Sequence, residues 1–283
     1  MKKLIAVMMF VLVISTQAQD EVKAEPFVPH WEHSMITGLN ISQISFSNWA
    51  KGGENSLSWV VTLDLTNDYL AEDWSFKNQF RIAYGRTKLG TAQYKTNDNE
   101  LFNESVIARN IGWAVDPFFS NTLRTTIAKG FDYEKVPALQ IADIFDPTYL
   151  TQSLGFTYDR MKNFNTRFGV AIQEVFTTDY PQFTDDPETL NEIETTKIET
   201  GVESVTDFTS NFAENMQYKT KLRLFSAFDR LDTWDVRWDN VIQAKVNTFV
   251  NVNLNVIVLY EKVQTPFTQV KQALQLGFTY TLF

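Results

Sequence analysis

The stretch Val270-Lys-Gln-Ala-Leu-Gln-Leu-Gly-Phe-Thr-Tyr-Thr-Leu-Phe283 decides how the rest of the chain is read. Leu274, Leu276, Phe278, Tyr280 and Leu282 fall on even positions, and Lys271, Ala273, Gln275, Gly277, Thr279 and Thr281 on odd ones. Successive side chains of a strand point to opposite faces. This period of two therefore predicts a strand with one apolar and one polar face. Soluble sheets alternate too, so the weight falls on whether the pattern repeats and on how the repeats are joined.

It repeats along most of the chain. The alternation predicts strands over 34–46, 57–67, 74–85, 104–115, 122–133, 149–159, 164–177, 196–209 and 215–228. In the first of these a change of parity between Ile41 and Ile44 predicts a bulge. One parity then runs from Val236 to Tyr260. At about 3.3 Å per residue that is too long for a single membrane strand, so it is divided near 247–251. With the terminal stretch there are about twelve strands, longer than the ~5–6 residues usual in soluble sheets. Connections alternate between short and long. The polar segments 86–103, 134–147 and 178–195 are the long ones, and all three fall at the same end. A sandwich gives no reason for such alternation, whereas membrane barrels have short turns at one rim and long loops at the other. The expected fold is all-β: a transmembrane antiparallel up-and-down β-barrel spanning 34–283.

Composition agrees and narrows the compartment. Met1-Lys2-Lys3, an apolar run to Ile14 and Ser15-Thr16-Gln17-Ala18 predict a secretory signal peptide, 1–18, cleaved after Ala18. A polar leader without periodicity is expected over 19–33, on the periplasmic side. The chain has no cysteine, so neither a disulfide framework nor a lipidated cysteine is available. The formal charge is −9 from 25 basic and 34 acidic residues. Loss of Lys2 and Lys3 with the signal makes it 23 − 34 = −11. That balance argues against nucleic acid as a partner. Aromatic residues make up 14% of the chain, enough for the girdles that mark membrane interfaces.

Two resemblances sharpen the expectation. An amphipathic last strand ending in an aromatic residue resembles the C-terminal signal of outer-membrane barrels, although Phe283 is one residue out of step with Tyr280. It implies the barrel-assembly machinery as a partner. The stretch Asn48-Trp49-Ala50-Lys51-Gly52-Gly53-Glu54-Asn55-Ser56 resembles the Trp-x-x-Gly-Gly-x-Asn motif of DUF3078, a family of uncharacterised outer-membrane barrels of Bacteroidetes-type bacteria. Three further stretches are similar to it: Trp74-Ser-Phe-Lys-Asn-Gln-Phe-Arg-Ile-Ala-Tyr-Gly85, Ile144-Phe-Asp-Pro-Thr-Tyr149 and Trp238-Asp-Asn-Val-Ile-Gln-Ala-Lys-Val-Asn247. The resemblance implies the fold and the outer membrane, and no catalytic residue. By turn chemistry, Gly52 and Gly53 are expected in a tight hairpin with Trp49 as an interfacial anchor and Asn55 completing the motif.

If the apolar parity meets lipid, the other parity lines the lumen. The candidates are then Lys77, Arg81, Arg124, Arg167, Glu199, Glu203, Lys219, Lys221, Arg223, Arg237, Asp239 and Lys245. Lys219, Lys221 and Arg223 form a basic wall, flanked by mixed or acidic ones. Two readings stay open: a charge ladder that selects a small polar solute, or cross-strand ion pairs, such as Glu199 or Glu203 with Lys219 or Lys221, that neutralise a filled interior. Arg109 falls on the apolar parity with Ile107, Ile111 and Trp113, where a charge is tolerated only near an interface.

Other chemistry finds little support. Asp179, Asp185, Asp186, Glu188, Glu192 and Glu194 lack the spacing of a calcium loop and read as a solvated surface segment. A barrel lipase needs serine beside histidine. The only histidines are His30 and His33, and His33 and Ser34, being adjacent, face opposite ways. No cofactor, metal or enzymatic activity is expected. The leading function is a barrel that passes or binds a small polar solute among outer-membrane lipid and lipopolysaccharide. The alternative is a non-conducting interaction barrel working through its loops, and a lipid hydrolase ranks last.

Overall fold

The computed structural model describes residues 28–185, 189, 192–262 and 265–283. The expected signal peptide, most of the leader (19–27) and two acids of the longest loop, Asp186 and Glu188, lie outside the described residues. Twelve strands close into one antiparallel barrel: β1 (His30–Ile44), β2 (Ser56–Leu70), β3 (Trp74–Leu89), β4 (Lys95–Arg109), β5 (Asp116–Thr125), β8 (Thr148–Met161), β9 (Phe164–Phe176), β10 (Thr196–Ala213), β11 (Met216–Ala227), β12 (Asp235–Lys245), β13 (Val250–Tyr260) and β14 (Gln269–Thr281). Two short strands, β6 (Gly130–Asp132) and β7 (Leu139–Ala142), make a separate hairpin within the connection between β5 and β8. The last strand returns to the first, with Ile36 opposite Thr281 and Ile41 opposite Leu276.

The barrel is inverted relative to a soluble domain. Its buried residues are mostly polar, among them Glu104, Ser120, Thr151, Ser153, Arg167, Glu203 and Asn253. Its exposed residues include Phe119, Leu154, Phe156, Phe168, Val170, Ile198, Trp238, Leu274, Leu276 and Phe278, which ring the outer wall. An apolar surface this extensive exceeds what a soluble monomer tolerates and fits a wall solvated by lipid tails. The alternation of the sequence is thus read out with its apolar side outward.

The connections sort by length as expected, except that 90–94 at the loop end is shorter than 110–115 at the turn end. One end carries 71–73, 110–115, 162–163, 214–215 and 246–249; the other carries 45–55, 90–94, 126–147, 177–195, 228–234 and 261–268. Aromatic pairs cluster at the turn end: Trp31 with Tyr69 at 5.0 Å, Phe208 with Tyr218 at 6.4 Å and Phe249 with Tyr280 at 6.3 Å between centroids. Arg109 is the last residue of β4 and lies over the Trp74 ring at 5.3 Å. Its place at this girdle explains a cation on the apolar parity, because charge costs little near an interface.

Several expectations are corrected. The polar segment 86–103 is not a loop: β3 runs on to Leu89, and β4 begins at Lys95 across a tight turn at Gly90. Polar residues on both parities hid these strand ends, which pair beyond the apolar band. The segment 116–121 is strand β5 rather than a turn. The expected leader ends in strand, since β1 starts at His30. No bulge interrupts 41–44, where β1 and β2 pair continuously from His30–Leu70 to Ile44–Ser56. The division of 236–260 falls as expected, at 246–249.

Candidate functional site

The site is the lumen. Two carboxylates of β4, Glu100 and Glu104, organise it. Alternation places both on the inward face of the same strand, with Phe102 between them. In the barrel order β12 lies diametrically opposite β4, and β11 is its neighbour. From β12, Arg237 Nη2 donates to Glu100 Oε2 at 3.0 Å; from β5, Arg124 Nη1 donates to the same oxygen at 2.6 Å. From β11, Lys221 Nζ donates to Glu104 Oε2 at 2.5 Å, and Arg167 of β9 donates to Glu104 Oε1. The Arg237 and Lys221 contacts cross the lumen from wall to wall, while Arg124 reaches Glu100 from the neighbouring strand. They form two tiers of struts, because the two glutamates sit at different heights along one strand.

The remaining candidates fill in around the tiers. Arg223 Nε donates to Glu203 at 2.7 Å, and its Nη2 reaches Gln173 at 2.8 Å. Arg237 Nε donates to Asp239 at 2.9 Å. Lys77 pairs with Asp159 at 2.5 Å near the turn end, and Arg81 Nε stands 3.6 Å from Asp64. Glu199 is held by Lys197 at 3.0 Å and by Arg230 at 3.1 Å. Arg230, on the loop after β11, also donates to Asp235 at 2.9 Å, and that hydrogen bond raises its already high pKa further. Lys219 makes no ion pair among the described residues, and Lys245 sits exposed at the turn-end rim beside Gln217 and Gln243. Apart from the rim residue Lys245, these candidate positions share the inward parity of their strands. The basic wall is not a free cationic surface, because Lys221 and Arg223 are both paired. The actual partners are Glu104 and Glu203. Glu104 lay outside the candidate set, as did Glu100, which fell in a segment read as loop. Continuing the parity of Phe102 and Glu104 two residues back would have found it.

The loop end is partly capped. Phe183, in a short 3-10 turn (Pro181–Phe183), lines the chamber next to Glu104, Arg124 and Arg223. Asp146 holds this turn in place. One carboxylate oxygen accepts the Thr177 hydroxyl at 2.5 Å, and the other accepts the Thr178 and Asp179 N–H groups, both at 3.0 Å. Tyr180 is buried and its hydroxyl accepts from Gln140 at 2.6 Å. The first part of 178–195 therefore folds onto the barrel mouth through Tyr180 and Thr184, while its acids Asp179 and Asp185 stay exposed. Glu261 also lines this chamber, and burial pushes its carboxyl pKa upward. Cavities of about 550 Å³ at the loop end and 330 Å³ at the turn end lie on either side of the struts.

The motif lies in the long connection 45–55 rather than in the tight hairpin expected, and it folds that loop. Asn55 Oδ1 accepts the Phe46 N–H at 2.7 Å, Gly52 and Gly53 have φ of +80° and +130°, and the Phe46 ring lies where a Cβ on Gly53 would sit. Trp49 is exposed and 6.1 Å from Phe46.

Residues 41–131 match the model of a family described as a protein of unknown function, DUF3078. That segment is similar to the family; the rest of the chain lies outside the match. The DUF3078 segment contains two of the four resembling stretches, the motif turn and 74–85, together with both strut carboxylates. No curated protein matches. Among solved structures, the COG4313 outer membrane channel from Pseudomonas putida F1 is similar at 9% identity and a TM-score of 0.40, covering 94% of this chain and 99% of that one. The translocator domain of the autotransporter NalP from Neisseria meningitidis is similar at 6% identity and a TM-score of 0.38, covering 92% and 90%. The beta domain of the Bordetella autotransporter BrkA is similar at 10% identity and a TM-score of 0.31, covering 89% and 98%.

Proposed function

We propose that this barrel sits in the outer membrane, loop end outward, and is closed to solutes along its axis in the conformation described. The observation that carries this is the pair of struts: Lys221–Glu104 and Arg237–Glu100 join opposite walls through ion pairs. A hydrated solute moving along the axis would have to part them. Breaking one buried pair by removing a partner costs about 3–5 kcal/mol, since it strands a charge in a desolvated site. The barrel thus serves as a braced platform whose loops meet partners, among outer-membrane lipid and lipopolysaccharide. Its amphipathic strand β14 is the segment offered to the assembly machinery. No catalytic step belongs to this reading. His33 Nδ1 is 2.9 Å from Asn67 and His30 is engaged with Glu32, so neither is placed as a base.

A second reading, passage of a small polar solute, is favoured by the cavities on both sides of the struts, and it requires the struts to release. Both readings meet in one experiment, planar-bilayer conductance of the refolded chain. The unaltered barrel is expected to be silent. The variant carrying Glu100→Gln and Glu104→Gln, if heat-modifiable migration shows it folded, is expected to conduct. It should prefer anions, because Arg124 and Arg167 lose their carboxylate partners, while Lys221 keeps only Asp207 at 3.6 Å and Arg237 only Asp239 at 2.9 Å. Steady conductance in the unaltered chain, with a reversal potential unmoved by the double change, would refute closure by the struts.

A further inference from the structure

The barrel wall is not uniformly stitched. β1 pairs with β2 along its whole length, but its ladder with β14 runs only from Ile36–Thr281 to Ile41–Leu276. At the turn end Met35 extends the seam by bonding Phe283 and Leu282. Toward the loop end nothing continues it. Ser42, Gln43 and Ile44 of β1 and residues 269–275 of β14 keep their outer neighbours and leave each other unpaired. Below the break the lumen side is sealed by Asn253, which donates to Asn40 at 2.8 Å and to Asn251 at 2.6 Å. Above it the seam opens on a chamber of about 350 Å³, lined in part by Asn40, Arg81, Asn97, Lys271, Ala273 and Gln275.

The height of the break matters. Strands rise about 3.3 Å per residue and tilt by ~40°, which gives roughly 2.5 Å per residue along the axis. Gln275 then lies about 13 Å above the girdle residue Tyr280, and Gln269 about 28 Å above it, against an apolar band of about 25 Å. The break falls in the loop-side half of that band. An open sheet edge in hydrocarbon leaves N–H and C=O groups unsatisfied and is not tolerated there, unless the edge lines a wet cavity. The chamber behind the seam is that cavity. Outside, the β14 flank is apolar and exposed: Val270, Leu274 and Leu276. Inside, Asn97 Oδ1 is a buried acceptor without a hydrogen-bond partner, and Arg81 Nε is a buried donor that makes no hydrogen bond and has only the Asp64 carboxylate at 3.6 Å. A hydroxyl offers both functions at once.

We propose that the seam between β1 and β14 is a lateral port, through which an amphiphile from the loop-side leaflet places a hydroxyl-bearing head group in the chamber while its acyl chain stays against Val270 and Leu274. The port rests on the reading of the outer wall as lipid-facing. It also gives a role to a lumen closed along its axis, because the chamber is reached from the side.

The test uses the full chain refolded into phosphatidylglycerol vesicles, with photoreactive p-benzoylphenylalanine replacing one residue at a time. Ala273 probes the chamber at the seam, Leu154 the outer wall and Thr122 the lumen away from the seam. Lipid adducts are expected at Leu154 and Ala273 and not at Thr122. A second chain carries Gln43→Cys and Leu274→Cys, positions that would face each other if the ladder continued. Its oxidation should abolish the Ala273 adduct, and reduction should restore it. An adduct at Leu154 alone overturns the port while leaving the membrane wall intact. No adduct at Leu154 removes the lipid-facing reading, and the port with it. Capture of a second copy of the chain at Ala273 would show the open edge to be a strand-docking interface instead, which also overturns the proposal.

Discussion

Glycine and asparagine in the motif turn show what a short motif can mean when no chemistry attaches to it. Gly53 has φ +130°, a conformation side chains rarely adopt, and a Cβ there would lie 2.6 Å from the Phe46 ring. Gly52 has a positive φ as well but open space around it. Replacing Gly53 by Ala is therefore expected to disturb the turn more than replacing Gly52. It should displace Phe46, whose N–H is the donor to Asn55. Loss of one such hydrogen bond weakens local structure by about 1 kcal/mol. Amide exchange at Phe46 should rise severalfold in the Gly53→Ala and Asn55→Ala chains, with exchange in β8 and β9 unchanged. Unaltered exchange at Phe46 would mean that the motif does not fold the loop. Arg109 makes the complementary point. Its residue type clashes with its parity, and only its position at the strand end, over Trp74, resolves the conflict.

Elements were legible where hydrophobicity alternates and illegible where it does not. The strand 164–177 and the division of 236–260 come directly from parity, because one face meets an apolar medium. The extension of β3 to Leu89 and the start of β4 at Lys95 could not, since residues such as Thr87, Lys95, Asn97 and Asn99 give both faces polar character. That gap concealed Glu100 and left half of the strut system unread. The cap on the mouth was hidden for a different reason: its fold depends on Asp146, far along the chain, and local periodicity carries no trace of such a contact. Asp146 satisfies the N–H groups of Thr178 and Asp179 together with the Thr177 hydroxyl. Leaving a buried donor without an acceptor costs about 1–3 kcal/mol. The Asp146→Ala chain should consequently lose amide protection over 178–180 and show Phe183 withdrawn from the chamber, read as faster exchange there with the barrel strands unaffected. Equal protection in both chains would assign the cap to the packing of Tyr180 rather than to the carboxylate.

The molecule as a whole has its polar groups inside and its apolar ones outside, and that inversion makes a prediction no soluble sheet shares. Leu154 is 60% exposed at the middle of β8, while its neighbour Ser153 is 2% exposed in the lumen. Water around such a leucine would make Leu154→Arg neutral or favourable, since surface substitutions in soluble domains usually change stability by about 0.5 kcal/mol or less. Lipid around it would make the same change costly by about 2–4 kcal/mol, the penalty for Arg near the bilayer midplane of a barrel. A similar charge at the interface costs about 0–1 kcal/mol, in line with the chain's own use of Arg109 beside Trp74. Urea unfolding in phosphatidylcholine vesicles should accordingly show a large loss for Leu154→Arg and a small one for Ile107→Arg, two residues from the girdle. Equal, small effects at both sites would mean that the outer wall faces water. The struts, the cap and the lateral seam would then have to be read as features of a soluble barrel. Unequal effects in the expected order would fix the girdle and the midplane along the strands, and with them the height at which the β1–β14 seam opens.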